Sequence, residues 1–163
     1  MDFTLDSVPT LGFGIATAIL LVVSTVISWI DFRHMIVPDW ANLILALAGL
    51  LCTGFKGQPW WQAVLQVCLL FAILLIIASL YRHLRHRDGL GMGDIKFVCA
   101  ATMWIGIAMI PWLVLIASIS ALLMIVALQI CGQAVPSGQR IPFGPHLCMG
   151  LLATWMAMWY GIL

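Results

Sequence analysis

Apolar segments separated by short polar connections follow one another along the whole chain. A helix needs about 20 apolar residues to cross roughly 30 Å of hydrocarbon, and shorter helices can cross where the bundle thins the bilayer. The apolar segments cover residues 11–30, 41–55, 63–80, 95–110, 112–130 and 147–163. The pattern therefore predicts an all-α, polytopic membrane bundle of about six transmembrane helices.

The stretch from 95 to 130 has no polar interruption, so the helix count there depends on Pro111. Proline lacks a backbone donor and breaks helices, and we expect the chain to turn at this residue. A single crossing would move Arg140 to the opposite side of the membrane from most other basic residues. The sequence therefore predicts two helices that are joined at Pro111.

Composition defines the class of protein. The chain is 64% hydrophobic and 8% charged, whereas soluble domains contain about 25% charged residues, so we expect an integral membrane protein. Its 163 residues suit a single domain that covers 1–163. No basic patch is interleaved with aromatic residues, which argues against a nucleic-acid partner. The sequence leaves the oligomeric state open.

The basic residues predict the orientation in the membrane. Six of the seven lysines and arginines lie in or beside the connections after the first, third and fifth segments: Arg33, Arg82, Arg85, Arg87, Lys96 and Arg140. The positive-inside rule makes this side cytoplasmic, which places the N-terminus and the C-terminus outside. Anionic lipid headgroups are the expected partners of the run from Arg82 to Arg87.

Two aspartates lie where a membrane protein can least easily carry charge. Asp31 ends the first apolar segment, and Asp94 directly precedes the fourth. The predicted topology places both at the cytoplasmic edge. Two carboxyl groups within a few Å of each other share a proton, so one can accept a proton from an attacking water while the other donates to a peptide carbonyl. The pair therefore predicts an aspartic peptidase that needs no metal or cofactor.

Helix dipoles suggest different roles for the two groups. Asp94 lies at a helix N-terminus and Asp31 at a helix C-terminus, so we expect Asp94 to be the more acidic. Each aspartate could instead cap a helix or pair with an arginine. A small ion- or proton-coupled transporter that uses the same aspartates, and a non-catalytic scaffold, are the rival functions. A carrier would place its acidic groups near the middle of the membrane.

Glycines surround Asp94, at Gly89, Gly91 and Gly93. Glycine permits a positive φ and the close approach of another backbone. A bent loop or an extended substrate strand would need both of these properties. The glycines alone therefore leave both possibilities open.

The cysteines and histidines show no ligand pattern. None of the five cysteines forms a CxxC pair, and we expect them to be small buried hydrophobic residues rather than metal ligands. The histidines are expected at the cytoplasmic surface or at an interface; they are His34, His83, His86 and His146.

Three separated motifs resemble those of the bacterial type IV prepilin peptidases, which are leader peptidases of the GxGD aspartic protease class. The first is Asp31 followed by Ile36–Asp39, and the second is Gly91–Lys96, which matches the pattern GxGDxK. The third is the IPFGP element Ile141–Pro145, ahead of the last helix. On physical grounds alone this third element would be a plain interhelical connection.

The resemblance implies a specific activity. It maps Asp31 and Asp94 onto the two catalytic aspartates and assigns Gly91, Gly93 and Lys96 to substrate binding. The substrate would be a prepilin or pseudopilin whose short basic leader is removed at the cytoplasmic face of the bacterial inner membrane. A multi-pass location among membrane lipids, with no cofactor, follows from the same resemblance.

The chain also departs from the longer members of that family. Those proteins carry an N-terminal cytoplasmic insertion with paired CxxC motifs, and they also N-methylate the new terminus. This sequence has neither feature and resembles the short form associated with Flp-type, or tight-adherence, pili. We therefore expect a peptidase without N-methyltransferase activity. Presenilin-type proteases share the GxGD element, but their Tyr-Asp and Pro-Ala-Leu motifs do not occur in this sequence.

Overall fold

The computed structural model describes residues 10–55, 57, 59–85, 91–131 and 142–163. The α-helices in these ranges are α1 (Thr10–His34), α2 (Asp39–Phe55), α3 (Trp60–Arg85), α4 (Met92–Ile105), α5 (Ile110–Ile130) and α6 (Gly144–Trp159). A short 3-10 helix, Ile107–Met109, joins α4 to α5. Every regular element in the described ranges is helical, which confirms the predicted all-α class.

The length of the helices and the apolar outer surface of the bundle suit a membrane. Three described stretches are long and apolar enough to cross one: Gly12–His34, Trp60–Arg85 and Ile107–Ile130. Their outward side chains are apolar, and Leu65, Ile76 and Leu122 are each at least 60% exposed. Such a surface is stable in lipid rather than in water. The chain is therefore a multi-pass membrane helix bundle.

The short helix α4 lies at the centre of the bundle. It contacts α2, α3, α5 and α6, and apart from Lys96 its residues from Ile95 onward are buried. The indole of Trp104 is buried and donates a 2.8 Å hydrogen bond to the carbonyl of Leu45 in α2. Gly49 allows this approach, because a Cβ there would lie 2.7 Å from the Cβ of Met103. Small residues at such contacts are typical of membrane helix packing.

The break between α4 and α5 occurs before the predicted position. Gly106 ends α4 with φ of 75°, and its N–H donates to the carbonyl of Thr102 at 2.8 Å. Glycine adopts this left-handed region at no steric cost. Pro111 instead lies in the first turn of α5, where the missing N–H removes no helical hydrogen bond. The prediction of two helices is confirmed, and the prediction of a turn at Pro111 is wrong.

Contacts between helices show which helix ends lie together. Lys96 of α4 pairs with Asp39 of α2, and Gly144 of α6 bonds Asp31 of α1. At the other end of α4, the N–H of Ile107 donates to the side chain of Gln66 near the start of α3. The N-terminal ends of α2, α4 and α6 therefore lie beside the C-terminal ends of α1 and α3.

This end of the bundle carries most of the described basic side chains, which are Arg33, Arg82, Arg85 and Lys96. The clustering agrees with the charge asymmetry in the sequence. Arg87, Arg140 and Lys56 lie outside the described residues. Which side of the membrane this end faces, and where the termini lie, stay predictions.

Candidate active site

Asp31 lies in the last turn of α1 and is buried, with only 4% of its surface exposed. Its Oδ2 accepts a 2.8 Å hydrogen bond from the backbone N–H of Gly144. A buried carboxylate without a partner would be strongly unfavourable. The amide at the start of α6 therefore supplies a hydrogen bond to a carboxyl group that is largely shielded from solvent.

The local sequence explains why this amide is available. The first amides of a helix have no partner within the helix. In α6, Pro145 has no N–H, and the amides of His146 and Leu147 both donate to the carbonyl of Phe143 at 3.1 Å. The N–H of Gly144 is thus left to point at Asp31.

Gly144 also has to be a glycine. A Cβ built there would lie 2.7 Å from Oδ2 and 2.9 Å from Cγ of Asp31, distances that side-chain carbons do not tolerate. The interpretation of this element as a plain connection is wrong, because it supplies the donor to a predicted catalytic residue. Within the element, Ile141 lies outside the described residues. Pro142, Gly144 and Pro145 mark this element in the sequence, but nothing local there indicates the contact with Asp31.

Asp94 lies in the first turn of α4, as predicted, and is half-buried. Gly91 precedes the helix in an extended conformation, with φ of −68° and ψ of 137°. A Cβ on Gly91 would lie 2.8 Å from Oδ2 of Asp94, and one on Gly93 would lie 3.2 Å from Cβ of Val37. Close approach therefore explains both glycines, and neither has a positive φ. Gly89 lies outside the described residues.

The connection between α1 and α2 packs against the start of α4. Met35 ends α1 with φ of 53°, and its N–H donates to the carbonyl of Asp31 at 2.8 Å. This is the left-handed residue that commonly ends a helix, here without the usual glycine. The reversal brings Val37, which is buried, against Gly93. The segment after Asp31 is thereby placed beside the residue that precedes Asp94.

Two further contacts tie α2 to α4. The Nζ atom of Lys96 lies 2.6 Å from Oδ1 of Asp39, and both side chains are substantially exposed to solvent. Such an exposed pair contributes at most about 1 kcal/mol. The amide nitrogen of Asn42 lies 3.5 Å from the carbonyl oxygen of Gly93. Lys96, which was predicted to bind substrate, is thus paired with Asp39 in this structure.

The structure brings Asp31 and Asp94 to the same end of the bundle, because Val37, six residues after Asp31, packs against Gly93, which directly precedes Asp94. Gly91 and Gly93 precede Asp94 by three residues and by one residue, and Lys96 follows it by two residues. In the part of the chain that the structure describes, no group of three His, Cys, Asp or Glu side chains could hold a metal ion. Two neighbouring carboxyl groups can share one proton, which is the arrangement that activates a water for attack on a peptide bond.

The relative acidity of the two aspartates stays a prediction. The expectation that Asp94 is the more acidic considered only the helix that carries each residue. The N-terminus of α6 also faces Asp31, and helix N-termini favour negative charge. The N-terminus of α4 favours the ionised form of Asp94, and that of α6 favours the ionised form of Asp31. The helix dipoles therefore do not show which aspartate is the more acidic.

Two predictions about other residues need correction. His146 is predicted at the cytoplasmic surface or at an interface. It is not at the surface, because it is buried between α5 and α6, and its Nδ1 lies 2.9 Å from Oγ of Ser120. Cys99 and Cys148 are buried as predicted. Cys68 and Cys131 are exposed, because they lie on outward faces of the bundle. His86 lies outside the described residues.

Comparison with known proteins identifies the family. A model of the type IV leader peptidase family matches residues 18–126, which include both aspartates. The chain belongs to this family. The match covers α2, α3 and α4 in full and ends before the element that contains Gly144. The membership confirms the resemblance that the three motifs indicated.

Relatives in several bacteria extend the similarity over most of the chain. A prepilin leader peptidase/N-methyltransferase of Aeromonas salmonicida (strain A449) is 30% identical over 93% of this chain and 52% of its own length. Proteins of the same name in Neisseria gonorrhoeae and Stutzerimonas stutzeri are 30% and 31% identical, over 85% and 82% of this chain and 46% and 45% of their own lengths. The chain thus spans about half the length of these curated relatives. No solved structure matches it.

Proposed function

We propose that this chain is a membrane-embedded aspartic endopeptidase that removes the basic leader of type IV prepilins or pseudopilins. Asp31 and Asp94 are the catalytic residues of the proposal. The observation that carries it is their convergence at one end of the bundle, where the N–H of Gly144 supports the buried carboxyl group of Asp31. Membership of the type IV leader peptidase family supplies the reaction class.

The reaction needs only the two carboxyl groups and a water. The ionised carboxylate takes a proton from the water as its oxygen attacks the carbonyl carbon of the scissile peptide bond. The protonated carboxyl group gives its proton to the carbonyl oxygen, so that the intermediate is neutral. The proton taken from water then passes to the leaving nitrogen, and a hydroxyl of the intermediate returns a proton to the other carboxylate as the C–N bond breaks. The pair is thereby restored to its shared-proton state.

The substrate would reach this site from the basic end of the bundle. We place that end on the cytoplasmic side of a bacterial inner membrane and both termini outside, because of the positive-inside rule. An extended segment of the prepilin would lie beside Gly91 and Gly93. Gly91 is exposed and leaves its backbone accessible, whereas Val37 covers one side of Gly93. Lys96 would contact the substrate once its ion pair with Asp39 opens. Anionic lipid headgroups would bind Arg82 and Arg85.

The relatives are named for two activities, and we propose the peptidase activity for this chain. The longer members carry paired CxxC motifs, whereas none of the five cysteines here forms such a pair. N-methylation of the product is therefore predicted to be absent. Mass spectrometry of the new N-terminus in the cleavage assay would test this separately.

The decisive experiment is cleavage of a co-expressed prepilin, followed by the change in its mobility on a gel. Asp31→Asn and Asp94→Asn should each lower cleavage by about a hundredfold or more, since each removes one proton-transfer group. Asp39→Asn makes the same change at an exposed carboxylate at the same end of the bundle. It should keep the normal kcat, and any effect through its partner Lys96 should appear in KM. Full cleavage by either active-site variant, at normal protein levels in the membrane, would reject the proposed pair.

Neither the structure nor the comparisons support the transporter alternative. The aspartates lie at the end of the bundle rather than halfway along its helices, and the matched family is a peptidase family. Loss of prepilin cleavage in both aspartate variants, with cleavage intact in Asp39→Asn, would separate the two functions.

A further inference from the structure

His146 is a buried polar residue in an otherwise apolar contact between two membrane helices. It lies in the first turn of α6, two residues after Gly144, and only 9% of its surface is exposed. Its Nδ1 lies 2.9 Å from Oγ of Ser120 on α5. Polar side chains inside a membrane bundle are costly and usually have a specific task.

The hydrogen bonds define which atom of this pair carries the proton. The hydroxyl of Ser120 donates to the carbonyl of Ala117 at 2.9 Å. A serine hydroxyl has one proton to donate, so its contact with His146 requires a proton on Nδ1 of the ring. Nδ1–H therefore donates to Oγ of Ser120, and the Ser120 hydroxyl donates to the backbone of α5. The histidine is thereby attached to the helix backbone through a single hydroxyl.

The same face of α6 packs against α5 one turn further along. A Cβ on Gly150 would lie 2.5 Å from the carbonyl oxygen of Leu113 and 3.3 Å from the amide nitrogen of Ala117. The two backbones are thus in direct contact at Gly150. Closer to the end of the bundle that holds Asp31, the contact between α5 and α6 is made by the side chains of His146 and Ser120 instead of by a glycine.

We propose that His146 is a positioning residue for the proposed peptidase reaction. Its bond to Ser120 holds the first turn of α6 on α5 and so keeps the N–H of Gly144 on Oδ2 of Asp31. Without that bond, the first turn of α6 loses its directional attachment between Gly150 and the helix end. The amide of Gly144 then spends less time on the carboxyl group that it supports. This inference depends on the proposed function only for its activity readout.

Two substitutions at His146 separate the hydrogen bond from mere packing. His146→Leu retains an apolar side chain of similar size but has no donor, whereas His146→Asn keeps an N–H near the position of Nδ1. We expect His146→Leu to lower kcat for prepilin cleavage by about three- to tenfold, the range of one lost hydrogen bond, with little change in KM. His146→Asn should recover most of the loss. Met149→Leu, at an exposed position of α6, is the control.

A second measurement does not need catalysis. Amide hydrogen exchange at Gly144, followed by NMR in detergent, should be faster in His146→Leu than in the unmodified protein and close to normal in His146→Asn. Ser120→Ala, a small change on the other helix, should speed exchange at Gly144 to a similar extent, and combining it with His146→Leu should add little. The 15N spectrum should show His146 protonated at Nδ1.

Any one of three results would reject the proposed role of His146. Normal Gly144 exchange in His146→Leu, equal effects of the leucine and asparagine variants, or a ring protonated only at Nε2 would overturn the positioning role. If the unmodified protein does not cleave prepilin, the proposed function fails, while the exchange data still decide whether His146 positions Gly144.

Discussion

Replacing Gly144 with alanine should damage the site although it leaves both aspartates in place. In most helices, glycine to alanine is favourable by about 0.5–1 kcal/mol. Here the new Cβ would lie 2.7 Å from Oδ2, 2.9 Å from Cγ and 3.0 Å from Cβ of Asp31. The neighbour is a buried carboxyl group on a short side chain, so it cannot move aside as the end of a flexible chain could.

The expected magnitude follows from the contact that is lost. Either Asp31 turns away from α6 or α6 shifts, and both changes break the 2.8 Å hydrogen bond from the Gly144 N–H to Oδ2. Hydrogen bonds to charged groups are worth about 1.5–3 kcal/mol, which corresponds to a loss of roughly 10- to 150-fold in kcat. The effect should appear in kcat rather than in KM, because Asp31 acts in the chemical step.

The assay is initial-rate cleavage of purified prepilin by the protein in detergent micelles. Gly54→Ala is a matched control, because Gly54 is also helical and a Cβ there meets no atom within 4 Å. That variant should cleave at the normal rate. A Gly144→Ala variant with unchanged kcat would show that the contact between α6 and Asp31 does not matter for the reaction.

Other positions yield further predictions. Gly91→Ala should lower kcat about tenfold, because its Cβ would lie 2.8 Å from Oδ2 of Asp94 and one displaced hydrogen-bonding group costs about 1–2 kcal/mol; an unchanged initial rate would contradict this. Lys96→Met should raise KM for prepilin with kcat nearly constant if Lys96 binds substrate, and a fall in kcat alone would reject that assignment. Gly150→Ala should destabilise the bundle by about 1–3 kcal/mol, since its Cβ would lie 2.5 Å from the carbonyl oxygen of Leu113; unfolding in increasing SDS, with Gly54→Ala as reference, would measure it.

The helices could be predicted from the sequence because a long apolar run has few alternatives in a membrane. Backbone groups in lipid must bond within their own segment, so each apolar segment becomes a helix. The place of the turn between α4 and α5 was less certain. Both Gly106 and Pro111 can end a helix, and the choice depends on which residue the packing places at the reversal.

The aspartates could be recognised for the same physical reason, since charge is rare in such a chain. The contact of Asp31 with Gly144 could not, because it joins positions 113 residues apart and nothing local in the sequence specifies it. His146 shows a similar limit. Its spacing from other residues indicated no ligand site, and its burial depends on the rotation of α6 against α5, which an almost uniformly apolar helix does not reveal.

In the described part of the chain, the site supports negative charge without a buried arginine or lysine. The N-termini of α2, α4 and α6 lie at the end of the bundle that holds both aspartates, and a backbone amide rather than a basic side chain donates to Asp31. Helix N-termini carry partial positive charge, and burial protects this interaction from ions in solution. Raising NaCl from about 0.05 to about 0.5 M should therefore change kcat less than twofold, whereas KM for a basic leader should fall because salt screens its repulsion from the basic side chains at this end of the bundle. A kcat that falls steadily with salt would mean that exposed charges, and not the start of α6, stabilise the reacting carboxyl groups.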